Sequence, residues 1–310
     1  MKYEDIWKPL VCRYGDKEAK AITRYLLEVG YGLSMTDILC GAAEQLPPDE
    51  MGENLRRLLK GEPVQYVVGK AEFGGRTFKV TPDVLIPRPE TYELCQWIEE
   101  IEERLRVGER SSGMRGERRE ERDFSVLDIG TGSGCIAITL ALDIPRAKVE
   151  AWDISEKAIN IARQNAKSLN AQVCFRLVDA LNVSPKDSSL HSRAELAYPL
   201  PFTLHSSLNV IISNPPYICK KEAAGMEQHV LDHEPHQALF VPDEDPLVFY
   251  KAIGQYACHA LANHGCLFFE INPLYATEIT KMLDEMGFFE IETRKDQFGK
   301  VRFVRARKEL

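Results

Sequence analysis

The chain has 310 residues, of which 44% are hydrophobic and 28% charged, which is enough for one large or two smaller domains with a buried core. Its formal net charge of −8 gives no general attraction to phosphate backbones, so direct binding to DNA or RNA would require a local basic patch. There is no basic segment followed by an apolar run, no apolar stretch of bilayer length and no metal-ligand spacing among the eight cysteines, so we expect a cytoplasmic protein with reduced thiols, no membrane segment and no metal.

Residues 1–72 have a helical pattern. Apolar residues recur at roughly helical spacing between Ile6 and Val29, and Gly30 follows that stretch. A further helix is predicted at residues 49–60, just before a glycine. We therefore predict that residues 1–72 form a separate small helical bundle.

Residues 73–91 are predicted to form a hairpin linker, because short apolar pieces alternate with glycine and proline. The predicted extended pieces are residues 73–75, 78–80 and 84–86. A helix from about Glu90 to Leu105 begins the second domain, which we assign to residues 92–310. Residues 104–123 are mixed in charge and poor in apolar side chains, and we interpret them as a solvated loop insertion.

Strands and helices alternate from Phe124 onward. The predicted strands are residues 124–129, 148–152, 173–178, 209–213 and 266–271, and the predicted helices are residues 135–142, 155–169, 246–262 and 274–286. This alternation predicts an α/β fold with a doubly wound parallel sheet. Segments 288–293 and 301–306 predict a terminal hairpin that adds one antiparallel strand at or near the sheet edge, and residues 184–207 predict a second loop insertion.

The segment after the first of these strands is rich in glycine. It contains Asp128, Gly130, Thr131, Gly132, Ser133 and Gly134. Glycines allow the backbone to turn sharply and to approach a ligand closely. The G-x-G-x-G spacing, with an acid two residues before the first glycine, suits a ligand with positive sulfonium and amino groups, such as S-adenosyl-L-methionine, better than a pyrophosphate.

Two further acids follow the next two predicted strands. Asp153 ends the second strand, where an acid accepts hydrogen bonds from ribose hydroxyls, and Asp179 and Ala180 follow the third, near the expected adenine ring. Each carboxylate alone is equally typical of a helix cap or a solvated turn. Because they follow successive strands at the sheet edge where ligands bind, together they favour a nucleoside site.

The sequence Asn214-Pro215-Pro216-Tyr217 follows the fourth predicted strand. An amide or aromatic amine nitrogen is a poor nucleophile because its lone pair is delocalised. The Asn214 side-chain oxygen and the Pro215 carbonyl would accept hydrogen bonds from such an NH2 group and polarise it, while Tyr217 packs on the flat target. We therefore predict methyl transfer to a planar nitrogen; the alternative is a proline-rich turn with Tyr217 in the core.

These motifs resemble those of the release factor glutamine methyltransferases, the PrmC/HemK family of protein-(glutamine-N5) methyltransferases. The matching segments are residues 61–66, 85–91, 128–134, 214–217 and 234–239. The resemblance implies a class I S-adenosylmethionine-dependent methyltransferase fold, with a helical domain that docks the substrate. It implies that the substrate is the glutamine in the Gly-Gly-Gln (GGQ) loop of peptide chain release factors. The residues expected to bind the cofactor are Gly130, Thr131, Gly132, Ser133, Gly134, Asp153, Asp179, Ala180 and Asn214, and those expected to act on the glutamine are Asn214, Pro215, Pro216 and Tyr217.

Other functions remain open from sequence. An adenine-N6 methyltransferase of DNA or RNA would use the same chemistry, but it would need a basic recognition domain, which is not obvious here, so we expect no direct DNA contact. A ribosomal-protein glutamine methyltransferase and a catalytically idle binding module are the remaining alternatives. We expect a monomer.

Several polar residues near the motifs have more than one interpretation. Arg88 and Glu90 would guide the substrate, pair with each other or form a salt bridge between domains. Glu270, at the end of the fifth strand, would border the site or have a buried or capping role. The spacing i, i+4, i+7 would place three histidines, His229, His233 and His236, on one helix face. Because Pro235 interrupts that helix, we predict no metal site.

Overall fold

The N-terminal residues fold as helices around a core of their own. The computed structural model describes residues 1–111, 123–183 and 208–309. The first elements are α1 (Tyr3–Trp7), a 3-10 helix (Lys8–Leu10), α2 (Val11–Tyr25), a π-helical turn (Leu26–Gly30), α3 (Met35–Leu39), a 3-10 helix (Ala42–Gln45), α4 (Pro48–Leu59) and α5 (Val64–Val68). Their apolar faces share a cluster of buried side chains that includes Ile6, Leu26 and Leu58. The predicted helical bundle is confirmed.

An antiparallel hairpin of β1 (Lys70–Phe73) and β2 (Arg76–Lys79) follows the bundle. The predicted extended piece at residues 84–86 is wrong, since it lies in irregular structure rather than in a strand. Val84 and Ile86 are nevertheless buried, because they pack with Tyr66 and with Ile161 of a later helix. Side-chain packing, rather than strand pairing, therefore explains the apolar character of this segment.

Helices and strands then alternate to build the main sheet. They are α6 (Pro89–Ser111), β3 (Phe124–Ile129), α7 (Cys135–Asp143), β4 (Ala147–Asp153), α8 (Glu156–Leu169), β5 (Val173–Leu177), β6 (Leu208–Ser213), β7 (Ile218–Cys219), α9 (Gln228–His233), α10 (His236–Leu239), β8 (Phe240–Val241), α11 (Val248–Ala260), β9 (Leu261–Glu270), α12 (Ala276–Glu285), β10 (Phe288–Lys295) and β11 (Val301–Lys308). Ser155 caps α8, since its side chain accepts a hydrogen bond from Ala158 N.

The main sheet has seven strands in the described part of the chain, in the order β10-β11-β9-β6-β3-β4-β5. The five strands from β9 to β5 pair in parallel, while β11 pairs antiparallel with both β9 and β10. This arrangement confirms the doubly wound sheet and its terminal hairpin. It also brings the residues that follow β3, β4, β5, β6 and β9 to one edge of the sheet.

Part of one predicted loop is helical. Helix α6 continues to Ser111, so the interpretation of residues 104–111 as a loop insertion is wrong. The mixed charges there include pairs at helical spacing, Arg104 with Glu100 and Arg106 with Glu103, and such pairs support a helix as readily as a solvated loop. The rest of that predicted insertion, and the predicted insertion at 184–207, lie outside the described residues.

A helix that crosses a bilayer must be both long and apolar. Within the described ranges, no helix is both long enough and apolar enough to cross a membrane.

Candidate active site

The glycine-rich loop joins β3 to α7 at the carboxyl edge of the sheet. The backbone N–H groups of Gly130 and Thr131 both donate to the Trp152 carbonyl at 2.9 Å, which fixes the loop to the end of β4. A Cβ atom added at Gly130 or Gly132 would meet no atom within 4 Å. The first part of the loop therefore faces open space, which a ligand can occupy.

Asp128 lies beneath this loop and is completely buried. The Thr131 hydroxyl donates to its Oδ2 atom at 2.6 Å, whereas Oδ1 has no hydrogen-bond partner within the described residues. Burial raises the pKa of the Asp128 carboxyl to about 7. A buried carboxylate oxygen without a donor is best compensated by a positive ligand, which fits the sulfonium and amino groups of S-adenosylmethionine.

Asp153 ends β4 next to the loop. Its Oδ2 atom accepts a hydrogen bond from Gly132 N at 2.8 Å, and its Oδ1 atom accepts one from Ser155 N at 2.9 Å. Burial raises the pKa of this carboxyl. Because each carboxylate oxygen accepts more than one hydrogen bond, Asp153 can support the loop and still accept from ribose hydroxyls.

Asp179 and Ala180 follow β5 and are both half-buried. The Asp179 carboxylate closes its own turn, since Oδ1 accepts from Leu181 N at 2.9 Å and Oδ2 from the Asn182 side chain at 2.7 Å. Ile154 and Leu181 expose 47% and 43% of their surfaces. Leu181 follows Ala180, where the sequence predicts the flat adenine ring, and Ile154 follows the neighbouring strand β4. Exposed apolar surface of this kind suits packing against a flat ring.

The residues Asn214, Pro215, Pro216 and Tyr217 follow β6 at the same edge. The last residue of β6, Ser213, donates a buried hydrogen bond to the Ile129 carbonyl at 2.6 Å, which holds the start of this motif beside the end of β3. Three of its residues, Asn214, Pro215 and Tyr217, line a cavity of about 200 Å³ together with apolar side chains. The structure thus brings the motif and the glycine loop to neighbouring strand ends.

A buried carboxylate connects the two ends of this motif. Glu270, the last residue of β9, is 2% exposed and lines the cavity, so it both borders the site and is buried. Its Oε1 atom accepts from the Tyr217 hydroxyl at 3.1 Å, and its Oε2 atom accepts from the Thr91 hydroxyl at 2.6 Å. Burial raises the pKa of Glu270, and these two hydrogen bonds oppose that shift. The Asn214 side-chain amide in turn donates to Thr91 Oγ1 at 3.3 Å.

Arg88 does not pair with Glu90 as one interpretation suggested. Its guanidinium contacts the Glu234 carboxylate at 2.6 Å and also lines the cavity. Glu234 is buried and accepts a second hydrogen bond from Ile86 N at 3.4 Å. A buried carboxylate requires a close positive partner, which explains why Arg88 points towards it.

The three histidines do not share one helix face. Helix α9 ends at His233, and His236 begins α10 after Pro235. His229 contacts Glu227, and the His236 ring contacts the Leu231 carbonyl. Among the described residues, no group of histidine, cysteine and acidic side chains has the arrangement of a metal site.

Sequence comparison assigns the chain to a family. A family model described as "Methyltransferase domain" matches residues 120–239. The release factor glutamine methyltransferase of Bacteroides thetaiotaomicron is 40% identical over 296 residues, which are 94% of this chain and 94% of that protein. The protein of the same name from Flavobacterium psychrophilum is 33% identical over 301 residues, covering 94% of this chain and 93% of its own length.

A solved structure is also similar to this chain. It is the release factor-specific protein-(glutamine-N5) methyltransferase of Alicyclobacillus acidocaldarius, which is 26% identical and covers 75% of this chain and 100% of its own, with a TM-score of 0.36. The assignment rests on the sequence relatives, because they extend over nearly the whole chain. With the doubly wound sheet of a class I S-adenosylmethionine-dependent methyltransferase, this chain belongs to the family of release factor glutamine methyltransferases.

Proposed function

We propose that the protein transfers a methyl group from S-adenosylmethionine to the side-chain amide nitrogen of the glutamine in the GGQ loop of peptide chain release factors. The observation that carries this proposal is the cavity lined by Asn214, Pro215 and Tyr217, which follow β6, the strand next to the one that precedes the glycine loop. Apolar side chains form most of its lining, and Asn214 and Glu270 are among its polar groups, which is typical of a site for one small polar group. The sequence relatives, which match 94% of the chain, are named release factor glutamine methyltransferases.

The cofactor would lie over the glycine loop. When bound, S-adenosylmethionine supplies a methyl group made electrophilic by its sulfonium. In this proposal the backbone of residues 130–134 approaches it, Asp128 offsets its positive charge from below, and Asp153 accepts from its ribose hydroxyls. Asp179 and Ala180 border the adenine ring, and Asn214 contacts the cofactor from the neighbouring strand end.

The target amide would lie in the cavity. Asn214 Oδ1 and the Pro215 carbonyl accept hydrogen bonds from its two N–H groups, which localises the lone pair on nitrogen. Tyr217 packs against the flat amide group, and Pro216 stiffens the backbone. The nitrogen lone pair forms the new N–C bond as the S–C bond breaks and its electron pair stays on sulfur. One N–H proton then leaves to water, so no covalent enzyme intermediate is required. Positioning of the two reactants supplies most of the rate.

The three segments of the chain would divide this work. We propose that residues 1–72 dock the release factor, that residues 73–91 are a hairpin linker and that residues 92–310 catalyse the transfer. The separate apolar core of the helical bundle supports this division. We further propose that the protein acts as a monomer in the cytoplasm, without direct contact to DNA, in line with its net charge of −8.

Transfer of a labelled methyl group to alternative acceptors tests the proposal. Purified release factor, release factor with the GGQ glutamine replaced by alanine, naked DNA and intact ribosomes would each be incubated with the enzyme and labelled cofactor. We expect label only in the unmodified release factor. Label in DNA or in a ribosomal protein would instead support one of the other methyltransferase functions, and no transfer to any acceptor would support the idle binding module.

A further inference from the structure

We propose that Thr91 and Glu270 are positioning residues that fix the orientation of the Asn214 amide and so make the target cavity a hydrogen-bond acceptor. This inference rests on the proposed function, because it concerns the same cavity. It begins with three side chains that are distant in sequence but joined in space. The Thr91 hydroxyl donates to Glu270 Oε2 at 2.6 Å, and Asn214 Nδ2 donates to Thr91 Oγ1 at 3.3 Å.

The direction of these hydrogen bonds follows from counting protons. The Thr91 and Tyr217 hydroxyls and the positive charge of Arg302 oppose the rise that burial causes in the pKa of Glu270, and so favour its ionised form. An ionised carboxylate only accepts, and a threonine hydroxyl has a single proton to donate. Because that proton is committed to Glu270, the Thr91 oxygen can only accept from its other neighbour. Asn214 must therefore present its NH2 group to Thr91, and its carbonyl oxygen is left on the opposite side.

Burial favours this orientation of the Asn214 amide over the reversed one. Thr91 and Glu270 are each 2% exposed, so water cannot easily replace either partner. If the Asn214 amide were reversed, its oxygen would face a hydroxyl without a free proton, and its NH2 group would face the NH2 of the target. Both contacts would be unfavourable, because each would leave a buried polar group without a partner.

The same carboxylate also holds the other end of the motif. Glu270 Oε1 accepts from the Tyr217 hydroxyl at 3.1 Å, and burial raises the pKa of Tyr217, so the phenol remains a donor. One buried acid thus receives hydrogen bonds, directly or through Thr91, from both Asn214 and Tyr217. The cavity needs this support because the motif itself lies in irregular structure after β6.

Three substitutions at Thr91 and in the core test the inference. Thr91→Val preserves side-chain shape but removes the hydroxyl, and Thr91→Ser restores it. Thr139→Val is the matched control, since Thr139 is fully buried in α7 and its hydroxyl has no hydrogen-bond partner in the described structure. For Thr91→Val we expect kcat for release factor methylation to fall about 10-fold to 100-fold, as when a residue that orients a functional group is lost, with little change in KM. Thr91→Ser should recover most of the rate, and Thr139→Val should keep it.

A double substitution separates a positioning role from a general structural one. If Thr91 acts through Asn214, then Thr91→Val should lower kcat much less in an Asn214→Ala background than in the wild type. Cofactor affinity measured by calorimetry should be unchanged in every Thr91 variant. Equal loss of kcat in both backgrounds, or a fully active Thr91→Val enzyme, would overturn the inference.

The design also distinguishes this inference from the proposed function. If the wild-type protein transfers no methyl group to release factor, the proposed function fails before any variant is compared. Should Thr91→Val not fold, as judged by its thermal melt, Glu270→Gln replaces it, because the amide offers one acceptor and one donor where the carboxylate offers two acceptors. We expect a similar fall in kcat for Glu270→Gln, and wild-type activity of that folded variant would equally contradict the inference.

Discussion

Asn214 is the residue on which the proposed chemistry depends most. Asn214→Ala removes an acceptor from the target cavity and should lower kcat by about 10²-fold to 10³-fold, the usual effect of losing one preorganised polar group. From sequence alone, we expect Asn214→Asp to be the milder change because it keeps an oxygen. The structure reverses that expectation, since an aspartate cannot donate to Thr91 and would add a charge near Glu270. Single-turnover methylation at saturating cofactor, with a melt of each variant, measures both effects; an Ala variant that is folded and fully active would remove Asn214 from the mechanism.

Asp153 is predicted to bind the cofactor and also supports the glycine loop through Gly132 N. Asp153→Ala should weaken S-adenosylmethionine binding by about 1.5–3 kcal/mol, the scale of a hydrogen bond to a charged group. Calorimetry measures this change, with Asp245→Asn as control, because the Asp245 carboxylate is exposed and pairs with the Lys251 ammonium group at the surface. Wild-type affinity in Asp153→Ala would end the assignment.

At the residue scale, the short motifs of the site could be predicted from the sequence, whereas the contacts between residues distant in sequence could not. The glycine loop and the Asn-Pro-Pro-Tyr sequence each concentrate unusual residues at a predicted strand end, so their place in the site follows from sheet topology. The bond between Thr91 and Glu270 joins residues 179 positions apart in the chain, and no local pattern indicates it. The pairing of Arg88 with Glu234 was missed for the same reason.

At the scale of elements, Asn165 of α8 connects the hairpin to the glycine loop. Its side chain accepts from Lys79 N at 2.7 Å and donates both to the Lys79 carbonyl at 3.0 Å and to the Ser133 carbonyl at 2.9 Å. Asn165 is 2% exposed, so these backbone groups have little access to water when it is removed. This residue therefore couples the linker to the cofactor loop.

We expect Asn165→Ala to lower the free energy of unfolding by about 2–4 kcal/mol, because it leaves several buried polar groups unpaired. The control is Gln164→Ala, an exposed neighbour that accepts a hydrogen bond from the Lys79 ammonium group, and it should change stability by less than about 0.5 kcal/mol. Urea denaturation compares the two variants. Equal stability of both would show that the hairpin is held mainly by apolar packing.

The elements themselves were easier to predict than their ends. Apolar alternation and helical spacing identified the strands and helices of the sheet because those segments are buried on the faces that the pattern marks. The extension of α6 to Ser111 was missed, since interleaved glutamate and arginine occur in solvated helices as often as in loops. Tyr92 packs edge-on against Phe73, with the ring centroids 5.7 Å apart, and thereby joins α6 to the hairpin.

For the whole molecule, the central expectation is that docking and chemistry reside in different segments. A shortened protein that begins at Lys70, the first residue of the hairpin, should still bind S-adenosylmethionine. It should methylate intact release factor with a much higher KM than the full chain. On a short peptide that contains the GGQ sequence, the shortened protein and the full chain should have equal activity. Steady-state kinetics on both substrates, with a melt to establish folding, measure this difference. Equal kinetics on intact release factor would exclude a docking role for the helical bundle.

The most direct test of the account is to locate the transferred methyl group. Wild-type enzyme, S-adenosylmethionine and purified release factor would react in a single turnover, and mass spectrometry of the digested release factor would identify the modified residue. We predict one added methyl group on the side-chain nitrogen of the GGQ glutamine, formed far more slowly by the Asn214→Ala enzyme. A methyl group on any other residue, or an equal rate with Asn214→Ala, would contradict the account.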